Sequence, residues 1–168
     1  SDRKGAEREL GLFDDYGFEG VKLHPLSDRF KPEDARFVLE FAHSRCVPVI
    51  IHTEKEPGCV PSEWSDLIGE YHGATFVLAH SARAIVENAV EMAHRHPNVM
   101  LDTSVQVWFN LRLASQSLGA DRFLFASDTP YAYRPLDVIV VSHVWSGTEL
   151  EMVMGGNALR ILSGKENR

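Results

Sequence analysis

Five short apolar segments recur along the chain, and each is closed by a polar residue. They lie at residues 20–25, 47–53, 75–81, 98–104 and 122–128. Their hydrophobicity is continuous rather than alternating, which is typical of strands that are covered on both faces of a parallel sheet. The pattern therefore predicts five buried, parallel strands.

The segments between the strands have the period of amphipathic helices. Apolar stripes at three- and four-residue spacing lie at residues 37–42, 64–71, 85–93 and 111–118. A final helical stretch is interrupted at Gly155 and Gly156 and continues from Asn157 to Leu162. No linker or low-complexity segment divides the chain. We therefore predict an α/β fold of βα units in a single domain, residues 1–168, with helices at its carboxyl end.

Polar side chains suited to acid–base chemistry or metal binding end the five strands. Successive members lie 22 to 28 residues apart, about the length of a strand plus a crossover helix. The carboxyl ends of parallel strands meet at one edge of a sheet, which is where βα folds place their chemistry. The following side chains are thus predicted to converge: His24, His52, His80, Asp102 and Asp128.

Composition excludes several classes of protein. With 44% hydrophobic residues the chain has enough apolar surface for a core, yet no apolar run approaches the roughly 18 residues of a membrane span. A net charge of −7 and scattered basic residues argue against a nucleic-acid partner. Cys46 and Cys59 form no CxxC motif, and no apolar signal segment opens the sequence. A cytoplasmic location is expected.

Six motifs, in this order, resemble the second half of the amidohydrolase-2 group of the amidohydrolase superfamily. They are GVKLHP, VIIHTE, FVLAHS, MLDTS, FLFASDTPY and MGGNALRIL, and the resemblance covers nearly the whole chain, from about Ala6 to Leu162. Members of this group are metal-dependent TIM barrels that include hydrolases and decarboxylases. The resemblance implies an incomplete barrel of TIM type, corresponding to strands four to eight. The His-x-His pair of the family's first strand has no counterpart at a strand end of this chain.

The resemblance also implies roles for three of the strand-end residues. His52 is expected to bind a divalent metal, most often zinc. Asp128 is expected to bind the same ion and to take a proton from metal-bound water. His80 is expected to contact the substrate or that water. The chemistry is consistent, because zinc lowers the pKa of bound water to about 7 and a nearby carboxylate can accept its proton.

Each of these residues also has a purely structural interpretation. Asp128 is a candidate helix N-cap, and His80 a capping or core histidine next to Ser81. His52 is alternatively a hydrogen-bonded structural histidine.

Three further side chains are candidates for binding the substrate. Lys22 and His24 are two residues apart and therefore share one face of a strand. Arg83 follows the third strand, where a guanidinium can clamp a carboxylate. The alternatives are an ion pair of Lys22 with an aspartate, or a carboxylated Lys22 as in two-metal members of the superfamily. Similarly, His24 is alternatively a rim residue and Arg83 a solvated one.

One His-x-His motif does occur in the chain, at His94 and His96. It lies at the end of a predicted helix, just before Pro97 and the fourth strand. This location is at the amino edge of the sheet, opposite the strand-end residues. We therefore interpret it as the carboxyl end of a helix, where histidine is favourable.

The sequence favours a metal-dependent hydrolase or decarboxylase of a small carboxylate or amide-like substrate, which we expect to be a homodimer. The alternative is a non-catalytic partial barrel, either a truncated fragment or an oligomerisation module. A phosphoesterase or nuclease of the TatD type is a third possibility. It ranks last because SDTPY and GGNALRIL resemble the amidohydrolase-2 group more closely.

Overall fold

The computed structural model describes residues 3–132 and 134–164. Within this part of the chain five strands form one parallel sheet, in which they follow one another in sequence order. Every strand pairs with its neighbour in sequence, as successive βα units of a TIM barrel do. The prediction of a parallel α/β sheet is confirmed. The strands are β1 Val21–Leu23, β2 Val49–His52, β3 Phe76–Ala79, β4 Val99–Asp102 and β5 Phe123–Leu124.

Helices connect and flank these strands. Between the last two helices, a π-helical turn at Met152–Gly156 contains the predicted break, with Gly155 outside helical geometry. No helix in the described ranges combines the length and hydropathy needed to cross a bilayer. The helices are α1 Arg3–Gly11, α2 Pro25–Asp28, α3 Arg36–Arg45, α4 Ser65–Glu70, α5 Val86–Arg95, α6 Trp108–Ser117, α7 Arg134–Val144, α8 Gly147–Glu151 and α9 Asn157–Leu162. Turns of 3-10 helix lie at Pro32–Ala35, Pro61–Trp64 and Ala120–Arg122. The turn at His80–Ile85 is not a regular helix, because Ser81, Ala82 and Arg83 have non-helical backbone angles.

The two faces of the sheet differ in what covers them. Ile51, Leu78 and Leu101 are fully buried in the core beneath the helices, and each such burial stabilises the fold by about 1.5–3 kcal/mol. The opposite face carries Lys22 and Ile50, which lie in register on adjacent strands. Ile50 is 38% exposed although it is in the second strand of the sheet. In a closed barrel this face lines the interior.

The fifth strand is shorter than predicted. The apolar run to residue 128 was expected to be one strand, but β5 ends at Leu124. The chain then leaves the sheet because Phe125 N–H donates to the carbonyl of Val153 and Ala126 N–H donates to Thr103 Oγ1. Asp128 therefore lies in a turn four residues beyond the strand, with φ of 54°.

Helix α7 has no counterpart among the predicted helices, because its sequence is rich in β-branched residues without a clear helical stripe. His94 and His96 lie at the end of α5, at the amino end of β4, as predicted. Their rings contact Ser117 and Ser65 respectively.

Candidate functional site

Three histidines meet at the carboxyl edge of the sheet. The rings of His24 and His52 are stacked, with centroids 3.8 Å apart and planes inclined by 13°. The ring of His80 meets His52 edge-on, and His80 Nε2 lies 3.2 Å from His52 Nδ1. His24 also caps α2, since its Nδ1 accepts a hydrogen bond from Ser27 N–H. The strand ends thus place three imidazoles in one row.

His80 begins a segment of unusual backbone conformation. Four consecutive residues, from His80 to Arg83, have φ between 43° and 62°, a region that is strained for residues other than glycine. Hydrogen bonds from neighbouring loops hold this segment. Ala82 N–H donates to Thr53 Oγ1, and Gln106 Nε2 donates to the carbonyl of His80. The loops after β2 and β4 therefore determine where the imidazole of His80 lies.

A buried carboxylate lies behind His80. Asp102 Oδ1 accepts hydrogen bonds from His80 N–H at 2.8 Å and from Ser104 Oγ at 2.6 Å. Ser104 Oγ in turn lies 2.8 Å from His80 Nδ1. Both ring nitrogens of His80 are thus engaged, and the residue is only 5% exposed.

The surroundings shift the pKa values of several site residues. Burial, together with the charges of His24 and His80, lowers the pKa of His52 to about 4, so the ring is neutral at neutral pH. Burial raises the pKa of Asp102. Burial also lowers the pKa of Lys22, while Asp102 and Asp128 oppose that effect. A neutral imidazole at position 52 is the form that can bind a metal ion or accept a proton.

Asp128 and Lys22 are linked to this row of histidines through their charges, since Asp128 acts on Lys22 and Lys22 acts on His52. Asp128 is exposed, and its carbonyl accepts hydrogen bonds from Tyr131 N–H and Ala132 N–H within the turn. In the described part of the chain its carboxylate makes no hydrogen bond to the histidines. Its charge does act on Lys22, which lies on the open face of the sheet.

Arg83 occupies a neighbouring cavity on the same edge of the sheet. Its guanidinium forms an ion pair with Glu54 at 2.7 Å, and both groups line a cavity of about 470 Å³. Burial would raise the pKa of Glu54, but the hydrogen bond and the charge of Arg83 outweigh it and lower that pKa. A substrate carboxylate would have to compete with Glu54 for Arg83.

Sequence reasoning missed the side chains that hold His80 in place. They are Thr53, Ser104, Gln106 and Asn110, and Asn110 Nδ2 donates to the carbonyl of Arg83. Ser104 and Gln106 follow Asp102 at alternate positions, directly after β4. This run of polar residues at every second position is the sequence pattern that could have indicated these contacts.

The side chains at this edge are of the types that bind metal ions, but too few of them lie close together. Imidazole and carboxylate groups are ligands that zinc and manganese accept. However, no group of three or more His, Cys, Asp or Glu side chains among residues 3–132 and 134–164 is placed to hold a metal ion. Catalytic zinc sites have three protein ligands. The described residues alone therefore do not form a complete metal site.

Residues 1–163 match the model of the family described as Amidohydrolase (Amidohydro_2). The chain belongs to the amidohydrolase family. The resemblance based on the strand-end motifs is thereby confirmed. A comparison with curated proteins gives no match.

Solved structures show the fold of this amidohydrolase chain. It is similar to an uncharacterised TIM-barrel protein from Bordetella bronchiseptica, with TM-score 0.83 and 22% identity, covering 99% of this chain and 64% of that one. It is also similar to 5-carboxyvanillate decarboxylase from Sphingomonas paucimobilis, with TM-score 0.71 and 20% identity, covering 96% and 64%. The predicted partial TIM barrel is confirmed, since the chain spans 62–64% of the length of the first three similar structures.

The similar structures include two with a bound metal ion. One is an amidohydrolase from Burkholderia multivorans with bound zinc, and the other is a dihydroxybenzoic acid decarboxylase from Polaromonas sp. with bound manganese and the inhibitor 2-nitroresorcinol. Its TM-score is 0.69 at 16% identity, covering 97% of this chain and 65% of that one.

Proposed function

We propose that this chain provides one side of the active site of a metal-dependent amidohydrolase that hydrolyses or decarboxylates a small carboxylate or amide-like substrate. The observation that carries the proposal is the position of His52. It lies at the carboxyl edge of the sheet between His24 and His80, and its surroundings keep it neutral. An imidazole held in this way is suited to binding a metal ion.

His52 and Asp128 are the two metal ligands that we propose from this chain. At least one more donor is needed, and it must lie outside the described residues. We propose zinc as the metal, because imidazole nitrogen is among its preferred ligands. Manganese, which the Polaromonas decarboxylase contains, is the alternative. A bound divalent ion would supply Lewis-acid chemistry at this edge of the sheet.

The remaining roles belong to side chains of the chain itself. Asp128 has an exposed carboxylate and is proposed as the general base. His80 is proposed as the catalytic imidazole that exchanges a proton with the substrate. Its Nε2 faces the proposed metal ligand His52, whereas its Nδ1 contacts Ser104. Lys22 and Arg83 are the cations proposed to bind a substrate carboxylate, with His24 beside them.

Metal titration of the purified chain tests this proposal. Zinc binding should be weakened at least tenfold by either His52→Ala or Asp128→Asn, because each removes one of few ligands. His94→Ala is the matched control, since His94 lies at the opposite edge of the sheet and should leave binding unchanged. Binding that survives both site substitutions would contradict the proposed ligands. Turnover of aromatic carboxylates by the same variants then tests the reaction class.

A non-catalytic role in oligomerisation is the second candidate. Among the described strands β1 has a neighbour only on its β2 side, and a cavity of about 500 Å³ next to it is lined by Leu10, Val21 and Phe37. An unpaired strand edge favours association with another chain. This candidate predicts a dimer in light scattering, as does the proposed homodimeric enzyme, but no stoichiometric metal binding.

A further inference from the structure

Four side chains form a continuous series of hydrogen bonds that ends at His52. Asp102 Oδ1 lies 2.6 Å from Ser104 Oγ, which lies 2.8 Å from His80 Nδ1. His80 Nε2 lies 3.2 Å from His52 Nδ1. Asp102, Ser104 and His80 are all buried, at 7%, 2% and 5% exposure. Because these groups are shielded from solvent, the donor and the acceptor in each contact can be assigned in turn.

The position of the Ser104 proton follows from the other donors at Asp102. Asp102 Oδ1 also accepts from the backbone N–H groups of His80 and Ser104, which can only donate. This oxygen is therefore an acceptor, whether or not Oδ2 carries a proton. The hydroxyl proton of Ser104 fills the remaining 2.6 Å contact. A serine has one proton, so Ser104 Oγ must accept at its contact with His80, and the imidazole carries a proton on Nδ1.

The same reasoning continues to the second histidine. A neutral His80 with its proton on Nδ1 has a lone pair on Nε2, which can only accept. His52 must then donate from Nδ1 in the contact between the two rings. A neutral His52 with its proton on Nδ1 has its lone pair on Nε2, and within the described residues no group bonds to that atom.

We propose that Asp102 and Ser104 are positioning residues that fix the tautomers of both histidines and leave Nε2 of His52 as the ligand-binding nitrogen. The inference rests on the proposed function, in which His52 binds a metal ion. Ligand histidines in metal sites characteristically donate their second ring N–H to a fixed acceptor. In this protein that acceptor is a second histidine, which a serine and an aspartate hold in place.

The tautomers can be read directly by NMR. In the ¹⁵N-histidine-labelled chain, long-range proton–nitrogen correlation spectra distinguish protonated from unprotonated ring nitrogens. The spectra are recorded at a pH above the usual histidine range and assigned with His52→Gln. Both His52 and His80 should carry the proton on Nδ1. A proton on Nε2 of either ring in the unsubstituted chain would overturn the proposal.

Serine substitutions separate positioning from simple packing. Ser104→Ala should shift the tautomer ratio of His80 toward the Nε2-protonated form about fivefold or more, and Ser104→Thr, which keeps the hydroxyl, should restore it. Ser81→Ala is the matched control. Ser81 is equally buried and donates to the Asp102 carbonyl, but its hydroxyl does not contact the imidazole. An unchanged ratio in Ser104→Ala, or an equal shift in Ser81→Ala, would overturn the proposal.

The experiment distinguishes this inference from the proposed function. The spectra are recorded without metal or substrate, so they report the tautomers even if His52 binds no ion. Conversely, the wrong tautomer together with zinc binding that depends on His52 would overturn the inference and leave the proposed function intact. If Ser104→Ala does not fold, the spectra of the unsubstituted chain and of Ser104→Thr decide the question.

Discussion

The imidazoles of His24 and His52 lie face to face with centroids 3.8 Å apart, so the charge state of one ring affects the other. At this distance a proton on His24 opposes a proton on His52. Burial is the largest cause of the low pKa of His52, about 4, and the charge of His24 is the next. The stacked pair thus adds to the effect of burial in keeping His52 neutral.

We predict that His24→Asn raises the pKa of His52 above about 4, because the substitution removes a neighbouring cation. Asparagine is a good helix N-cap and can still accept the hydrogen bond from Ser27 N–H, so α2 should keep its stability. NMR titration of the His52 ring measures the shift. His143→Asn, a substitution on the exposed side of α7, is the control and should leave the titration unchanged.

The sequence predicted the parallel sheet and the meeting of the histidines, because both follow from local periodicity. Continuous apolar runs mark buried parallel strands, and a strand of known direction places its last residue at a known edge. His24, His52 and His80 therefore came together as expected.

Contacts between segments that are distant in sequence could not be predicted from local periodicity. Asp128 was expected at a strand end, but the chain leaves β5 at Phe125 to bond Val153, 28 residues further on. Likewise, Arg83 and Glu54 lie in two different loops, so their ion pair depends on how those loops pack together. Ser104 was missed because its significance comes from a ring 24 residues away and not from its sequence neighbours.

We predict that Gln106→Ala destabilises the segment from His80 to Arg83. Gln106 is 6% exposed and its amide donates to the carbonyl of His80, while Asn110 holds the carbonyl of Arg83. Removing the amide leaves a buried carbonyl without its donor, which costs about 1–3 kcal/mol. Chemical denaturation measures the loss, and hydrogen exchange should quicken in this segment first.

Gln116→Ala is the control for this substitution, because Gln116 is exposed on α6. Equal stability of the two variants would mean that the segment from His80 to Arg83 does not depend on the Gln106 amide.

We predict that Asp137→Asn increases stability at neutral pH by about 1 kcal/mol. Asp137 is 6% exposed, and among the described residues its Oδ2 has no hydrogen-bond partner. Burial raises the pKa of this carboxyl despite hydrogen bonds from the Val105 and Asp137 backbone, and the charges of Asp102 and Asp128 raise it further. Loss of the favourable interaction with the amino end of α7 offsets part of the gain.

The pH dependence of this effect has a definite sign. The folded pKa of Asp137 lies above the unfolded value of 3.8, so between them the folded state binds more protons and stability falls as pH rises. The difference between Asp137→Asn and the unsubstituted chain should therefore be small near pH 4 and grow toward neutral pH. Thermal unfolding at both pH values measures it, and exposed Asp15→Asn is the control. A constant difference across this range would contradict the assignment.

One guanidinium joins a helix end to a strand start at the amino edge of the sheet, and we predict that Arg122→Lys destabilises the fold by about 1–2 kcal/mol. Arg122 donates to the carbonyls of Ala93, His96 and Val99, so that it covers the carboxyl end of α5 and the start of β4 together. Lysine keeps the positive charge but lacks the planar group that reaches several acceptors at once.

Arg112→Lys, on the exposed side of α6, provides the control for Arg122→Lys. In chemical denaturation the free energy of unfolding should be lower for Arg122→Lys than for Arg112→Lys, because only Arg122 bonds the three carbonyls. The NMR signals of the His52 ring should be the same in both variants, because Arg122 lies at the opposite edge of the sheet. A loss of stability accompanied by a changed His52 titration would mean that the two edges of this partial barrel are coupled. Equal stability would mean that charge alone suffices at position 122.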